Sequence, residues 1–379
     1  MNKKIDILKP ECVEAIFKIA DDEKVVNLRK NGYGHVNSTF HVEVKTPEGE
    51  QVERYILQRI NTYAFKSPDE LMENIVNVTR FIGKTAKEAG KDPARETMSV
   101  IPTRHGEYYY ETEDGDCWRL YTSIPCTYCL NQVKNPQQFY ESAKAFGHFQ
   151  FLLDKFDAST LHETIEDFHD TRKRYEDLEA AIAEDKLGRV QQVQAEIDFL
   201  EARKDDYAYL MERAEAGILP LRVTHNDTKL NNVLFDKCDD TAVTVIDLDT
   251  VMPGLAVNDF GDSIRFGANT NSEDEKDLSK VHLDLELFEA YTKGYFETAG
   301  SILTEAEKDD LVAASRLITL ECGMRFLTDY LKGDIYFNID YPEQNLDRTR
   351  TQLKLVEEME EHKEAMEEIV SKYRHIYFS

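Results

Sequence analysis

Cysteine is scarce in this chain. Six in 379 residues are too few and too scattered for a disulfide scaffold, which implies reduced thiols. Cys126-Thr127-Tyr128-Cys129 is the one C-x-x-C, and with neither a second pair nor nearby histidines it falls short of the four ligands of a zinc site. No thioredoxin-like strand and helix surround it, so its thiols read as structural. Long apolar runs are missing too: none approaches the roughly 20 residues that a membrane span requires. The opening MNKKIDILKPECVEAIF carries charges where a signal peptide has an apolar core, so a cytoplasmic protein is expected. Positive charge is the third shortage. Lysine and arginine number 46 against 73 aspartates and glutamates, a formal charge of -27 with a pI near 4.8. Nucleic acid and anionic membrane would both be repelled, and no obligatory protein partner is inferred. A small-molecule substrate is unaffected by that argument.

What is present centres on Val223 to Asp262. His225, Asp227 and Asn232 have the H-x-D-x-x-x-x-N spacing of kinase catalytic loops. Twenty positions past Asp227 stands Asp247, at the end of the β-branched run Ala242 to Ile246, which predicts a short buried strand. Phosphoryl transfer needs positioning and charge neutralisation more than covalent chemistry. Asp227 would orient the attacking hydroxyl or accept its proton, and Asn232 and Asp247 would offer oxygen ligands to Mg2+ bridging the phosphates of ATP. Asp259-Phe260-Gly261 spells D-F-G and competes for the metal role. It lies thirty-two residues beyond Asp227 and no apolar strand leads into it, so Asp259 is assigned instead to bracing the catalytic loop.

The rest of the chain divides around this stretch. At 379 residues it is long enough for two cores, since single cores stop growing near roughly 250 to 300 residues. An amphipathic helix is expected over residues 8 to 20. Asn31-Gly32-Tyr33-Gly34-His35-Val36-Asn37-Ser38-Thr39 then precedes an alternating strand, and such glycines let backbone approach phosphates. Gly32, Gly34, His35, Asn37 and Thr39 are therefore candidate nucleotide-binding residues, although G-x-G before a strand is more often an ordinary turn. The next strand, Glu53 to Ile60, carries Gln58 where protein kinases place a phosphate-binding lysine. Arg59 points to the opposite face and is not a simple substitute. The anchor is left open between Gln58, Asn61 and the glycine loop. Ser67-Pro68 opens a helix whose Glu70 and Glu73 have no evident ion-pair partner. Residues 98 to 124 read as strand, turn, strand, delivering a hinge at Tyr121 to Pro125 for the adenine. Helices dominate thereafter: one after Asn135-Pro136, two long ones within 173 to 215, and others near 282 to 296, 304 to 331 and 342 to 372.

HNDxxxxN followed by a strand ending in IDLD resembles the aminoglycoside phosphotransferase and choline kinase superfamily. The longer runs LRVTHNDTKLNN, DFGDSIRFGA, DEKDLSKVH, ECGMRFLTDYLKGDIYF and RTRTQLKLVEEME are similar to those of bacterial N-acetylhexosamine 1-kinases. The resemblance implies an α/β (α+β), two-lobe protein-kinase-like fold, with a small N-terminal β-sheet lobe over residues 1–124 and a large mainly helical lobe over 125–379. It implies ATP- and Mg2+-dependent phosphorylation of the anomeric hydroxyl of N-acetylglucosamine or N-acetylgalactosamine, with Arg325 and Tyr336 lining the sugar pocket beside Asp227. Two rivals stand against it. One is a related kinase acting on an aminoglycoside, choline or another alcohol; the other is a nucleotide-binding pseudoenzyme, motivated by Gln58.

Overall fold

The computed structural model describes residues 8–30 and 37–378, so the expected loop residues Gly32, Gly34 and His35 lie outside the described residues. The chain forms two compact units, Met1–Thr127 with Leu161–Ile165, and Tyr128–Thr160 with Glu166–Ser379.

The first unit contains α1 (Pro10–Ile16), β1 (Lys24–Lys30), β2 (Ser38–Lys45), β3 (Gln51–Arg59), α2 (Pro68–Glu88), the short α3 (Pro93–Glu96), β4 (Val100–Ile101), β5 (Tyr110–Glu111) and β6 (Cys117–Thr122). Its antiparallel sheet runs β1-β2-β3-β6-β4, with β5 on β6. Period-two alternation explains the sheet's buried face. Phe40, Val42, Val44, Leu57 and Leu120 come together under Val13 and Phe17. The turn between β2 and β3 closes through the Gly49 amide on the Thr46 carbonyl, and Gly49 adopts φ 88°, which a side chain would resist. Ser67 caps α2, accepting from the Glu70 amide at 3.4 Å. Glu70 and Glu73 do have a partner: His162 lies 3.9 Å from Glu70 and 2.9 Å from Glu73. The sequence hides it because His162 returns to this unit from far along the chain, held by reciprocal 2.8 Å bonds between its backbone and the Asn74 carboxamide.

The short β7 (Thr127–Tyr128) leads to α4 (Pro136–Leu153), α5 (Thr171–Glu184), α6 (Gln194–Glu201), α7 (Tyr209–Glu215), β8 (Arg222–Thr224), β9 (Val233–Asp236), β10 (Ala242–Val245), β11 (Met252–Gly254), α8 (Ala256–Gly267), α9 (Leu285–Ala299), α10 (Glu305–Lys332), α11 (Gln344–Glu361) and α12 (Lys363–Phe378). Asn135 caps α4 through the Gln138 amide, as its position before proline predicts. The two long helices expected over 173 to 215 are instead three shorter ones. Asp185 turns left-handed at the end of α5, and Gly188 follows with φ 66°, so the helix cannot continue. Likewise the last expected helix is two, α11 and α12, meeting at His362. A wide apolar core fills the second unit, with Phe260, Phe288, Tyr291 and Tyr295 from α8 and α9 meeting Leu317, Leu320 and Met324 from α10.

Helix α8 is the element the sequence least announces. Its two glycines read as breakers, yet a Cβ on Gly261 would come within 2.9 Å of the Ala314 backbone. That glycine exists for close helix packing. The D-F-G triplet thus lies inside a buried helix and not at the end of a strand. All six cysteines are free. Among the described residues no helix is long and apolar enough to cross a membrane.

Candidate active site

The loop after β8 owes its shape to side chains that bind its backbone. Asp259, on the first turn of α8, accepts from the His225 amide and the Asn226 amide, each at 2.8 Å, and from Gln150 of α4 at 2.9 Å. Three donors converge on one carboxylate that is 2 % exposed. Burial pushes the Asp259 carboxyl upward, against the pull of His225 and the two amides. One turn further along α8, Asp262 accepts from the Thr228 amide at 3.0 Å and Ser263 donates to the Thr228 carbonyl at 2.9 Å. Bracing by Asp259 is therefore what the geometry shows.

His225 is fully buried, edge-on to Phe146 and Phe149. Its Nε2 lies 2.9 Å from the Ile246 carbonyl, which only accepts, so Nε2 carries a proton. This bond ties the loop to the end of β10. Asn226 adopts a left-handed φ of 61°, and its carboxamide donates to the Thr250 carbonyl at 2.8 Å. Left-handed backbone at a non-glycine residue is costly, and asparagine tolerates it best.

Asp227 emerges from this frame half-buried. Its Oδ1 accepts from Lys229 Nζ at 2.9 Å and its Oδ2 from Asn232 Nδ2 at 2.9 Å. Partial burial alone would raise the carboxyl, but the Lys229 ammonium, with His225 and the Asn232 amide, carries it below the usual carboxylate range. Asp227 is an anion at neutral pH. Lys229 was not singled out from the sequence; the D-x-K spacing was the available signal, because alternate residues of an extended segment share a side.

Asn232 also donates to the Asp227 carbonyl at 2.8 Å. Its own backbone carbonyl accepts from the Ile246 amide at 2.8 Å, continuing the β9-β10 ladder that pairs Val233 with Val245. The structure so brings Asn232 beside the peptide that precedes Asp247. Asp247 is exposed, with φ 63°, a second left-handed non-glycine residue in the site. With Nδ2 committed to Asp227, the Asn232 Oδ1 faces the other way. Asn232 Oδ1 and the Asp247 carboxylate are hard oxygen donors of the kind a magnesium ion takes. Among the described residues no three His, Cys, Asp or Glu side chains converge as a metal cage. This pair suits an ion that draws its remaining ligands from substrate phosphates and water.

The expected acceptor residues also come together. Arg325 lies on α10, with its guanidinium carbon 4.9, 5.9 and 5.7 Å from the ring centres of Phe168, Tyr336 and Phe337. Asp329, one turn on, accepts from the amides of Ile335, Tyr336 and Phe337 at 2.8 to 3.0 Å, which fixes the loop carrying Tyr336. One turn back, buried Glu321 accepts from Thr171 at 3.0 Å and lies 2.8 Å from His169 Nδ1. The other ring nitrogen of His169 is 3.4 Å from the Asn226 carbonyl, so this network links α10 to the peptide next to Asp227. His169 and Glu321 were missed because their meeting depends on tertiary packing.

In the first unit, Asn37 Oδ1 accepts from the Asn61 amide at 2.9 Å, and Thr39 Oγ1 accepts from Gln58 Nε2 at 3.1 Å. The hinge amides of Thr122 and Ser123 are taken by the carbonyls of Ser99 and Arg54. Neither of these two amides is therefore open to a base.

The sequence profile of the phosphotransferase enzyme family matches residues 28–299. Among solved structures, the chain is similar to an aminoglycoside phosphotransferase from Alicyclobacillus acidocaldarius, with 14% identity over 98% of this chain and 99% of that one and a TM-score of 0.64. A microcompartment-associated aminopropanol kinase is similar at 15% identity, 94% and 97% coverage and TM-score 0.58. Choline kinase from Cryptosporidium parvum is similar at 13% identity, 95% and 94% coverage and TM-score 0.54. At these identities the likeness shows the fold: a kinase-like architecture with an N-terminal antiparallel sheet and a mainly helical C-terminal part.

Proposed function

The chain belongs to the phosphotransferase enzyme family, and from that premise we propose that it is a kinase transferring the γ-phosphoryl group of ATP to the anomeric hydroxyl of N-acetylglucosamine or N-acetylgalactosamine. One observation carries the chemistry. Asp227 is held as an anion between Lys229 and Asn232, and Asn232 is joined by the β9-β10 ladder to the approach to Asp247. The acceptor oxygen bonds to the γ-phosphorus as the bond to the ADP oxygen breaks, and the acceptor proton passes to Asp227. Asn232 holds one carboxylate oxygen still, while Lys229 holds the other and keeps the group ionised at neutral pH. Magnesium, when bound, supplies charge neutralisation at the nucleotide phosphates, and Asn232 and Asp247 are the residues that would hold it.

The choice of a neutral sugar is supported by Arg325 and Tyr336. A guanidinium offers a fixed fork of donors to ring hydroxyls or an amide carbonyl, and an exposed tyrosine offers a flat face with a polar tip. Arg325 would repel a choline-like or aminoglycoside cation. The resemblance of the surrounding sequence to N-acetylhexosamine 1-kinases points the same way.

The test is regiochemical. Free N-acetylhexosamines should be phosphorylated with ATP and magnesium, and phosphorus NMR of the product should show coupling to the anomeric proton. The methyl glycosides, which lack the anomeric hydroxyl, should be inert even where a binding assay shows that they enter the site. Phosphate on C6, or equal turnover of the glycoside, sinks the 1-kinase assignment. Turnover of kanamycin-like or choline-like acceptors alone would favour a related kinase, and nucleotide binding with no turnover of any acceptor would favour the pseudoenzyme.

A further inference from the structure

The sequence leaves the nucleotide's phosphates without the strand lysine that kinases use, and the sheet of the first unit contains an arrangement that fills the gap. In the ladders, Thr39 of β2 pairs with Gln58 of β3, and Gln58 pairs with Arg119 of β6. Directly opposed residues share a face, so these three side chains form one row across the sheet. The neighbouring row, Phe40, Leu57 and Leu120, belongs to the apolar core on the other face.

Within the row the hydrogen bonds are directional. Arg119 donates to Gln58 Oε1 twice, from Nε at 3.1 Å and from Nη2 at 2.8 Å. Arginine has only donors, so the carboxamide orientation is fixed: its oxygen faces the guanidinium and its Nε2 faces outward along the row, donating to Thr39 at 3.1 Å. An amide nitrogen has two hydrogens, and among the described residues Thr39 is the acceptor that Nε2 meets. Arg119 itself is 1 % exposed, with Nη1 3.8 Å from the Met72 sulfur on α2 and its guanidinium 5.1 Å from the Tyr121 ring centre. The two glutamates flanking Met72 on α2 are engaged by His162. Protein kinases pair a strand lysine with a helix glutamate at this place, and here the strand position is Gln58 while Glu70 and Glu73 are met by His162.

We propose that Arg119 is a positioning residue that makes Gln58 the phosphate anchor, a neutral amide pinned and polarised by a permanent cation one layer behind it. Arginine stays charged at any working pH, so the positive field reaches the anchor although the group that touches the ligand is uncharged. Two bonds to one oxygen hold the amide's donors toward the polyphosphate and prevent the flip that would present a repelling oxygen. The ligand class is a nucleoside di- or triphosphate. This inference rests on the kinase reading and deepens it.

Calorimetric titration with ATP, ADP and adenosine, without an acceptor, tests it in the full chain. Arg119→Met and Gln58→Leu should each weaken ATP and ADP about tenfold or more while changing adenosine less than about twofold, because only the phosphates meet the anchor. Arg119→Lys, which keeps the charge but loses the fork, should fall between wild type and Arg119→Met. Gln58→Lys combined with Arg119→Met moves the cation to the lysine position and should recover much of the ATP affinity, whereas Gln58→Lys alone sets two cations side by side and should lower thermal stability. Thermal melts identify any variant that does not fold, and Arg119→Lys and the double variant keep the test open in that case. Equal weakening of ATP and adenosine, or unchanged ATP affinity in Arg119→Met, overturns the proposal and leaves the kinase reading intact. A wild-type protein that binds no nucleotide overturns both.

Discussion

Lys229 Nζ sits 2.9 Å from Asp227 Oδ1, an ion pair between residues two apart in a loop whose backbone is held from behind by Asp259. The pair decides how the reaction responds to acid. The Asp227 carboxyl lies below its ordinary value in the folded protein, so it is ionised at neutral pH and titrates only on the acid side of the usual carboxylate value. A pH profile of kcat should therefore show no acid limb from Asp227 near neutrality. Removing the cation in Lys229→Met leaves the effect of burial opposed only by His225 and the Asn232 amide and should shift that limb upward, with reduced kcat. An unmoved limb would show that Lys229 does not set the ionisation of Asp227.

Asp227→Asn should abolish most turnover, on the order of 100-fold or more in kcat, because the amide can orient a hydroxyl but cannot take its proton. ATP binding measured by calorimetry should stay near wild type. Near-normal kcat in this variant would take Asp227 out of the mechanism.

Asp247 and Asp259 should fail in different ways. Asp247→Asn should raise the magnesium concentration needed for half-maximal rate while melting like wild type. In Asp259→Asn an amide nitrogen would face at least one N–H donor at a site 2 % exposed, which should cost about 2 to 4 kcal/mol of stability. Magnesium titrations and thermal melts on the two variants separate the roles, and a reversed pattern would mean that the metal-binding assignment is misplaced.

Glu321→Gln should weaken the His169 link that buttresses Asn226. We expect kcat to fall on the order of tenfold with little change in the KM for ATP, since the disturbance lies in the catalytic loop. Arg325→Met should behave conversely, raising the acceptor KM roughly 10- to 100-fold while nucleotide binding holds. Unchanged acceptor KM would remove Arg325 from the pocket.

The candidate loop was legible because its motif is compressed into short spacings: His225, Asp227 and Asn232 fall within eight residues, and β-branched residues lead to Asp247. Bracing by Asp259 was legible by elimination, since a carboxylate with no strand before it made a poor metal ligand. What escaped depended on partners distant in sequence. Gly261 looks like a helix breaker until Ala314 is packed against it. Glu73 looks solvated until His162 returns. Gln58 looks like a defect until sheet register sets Arg119 across from it. Helix ends at Asp185 and His362 escaped for the opposite reason, since each turns on one residue's backbone and not on a pattern.

Three successive amides of the loop after α10 hang from one buried side chain. Asp329 takes three successive amides, from Ile335 to Phe337, and is itself held by Asn345 at 3.0 Å. Those contacts use the backbone of residues 335–337, and beyond them the Phe337 ring packs on Phe326 at 4.7 Å between ring centres, so with an aromatic kept at 337 the segment has the properties of an exchangeable cassette. Grafting another sequence between Asp334 and Asn338 should alter which acceptor is preferred without disturbing the catalytic carboxylate, provided Asp329 and Asn345 are kept. A phosphotransferase built this way offers a defined splice site for changing its acceptor.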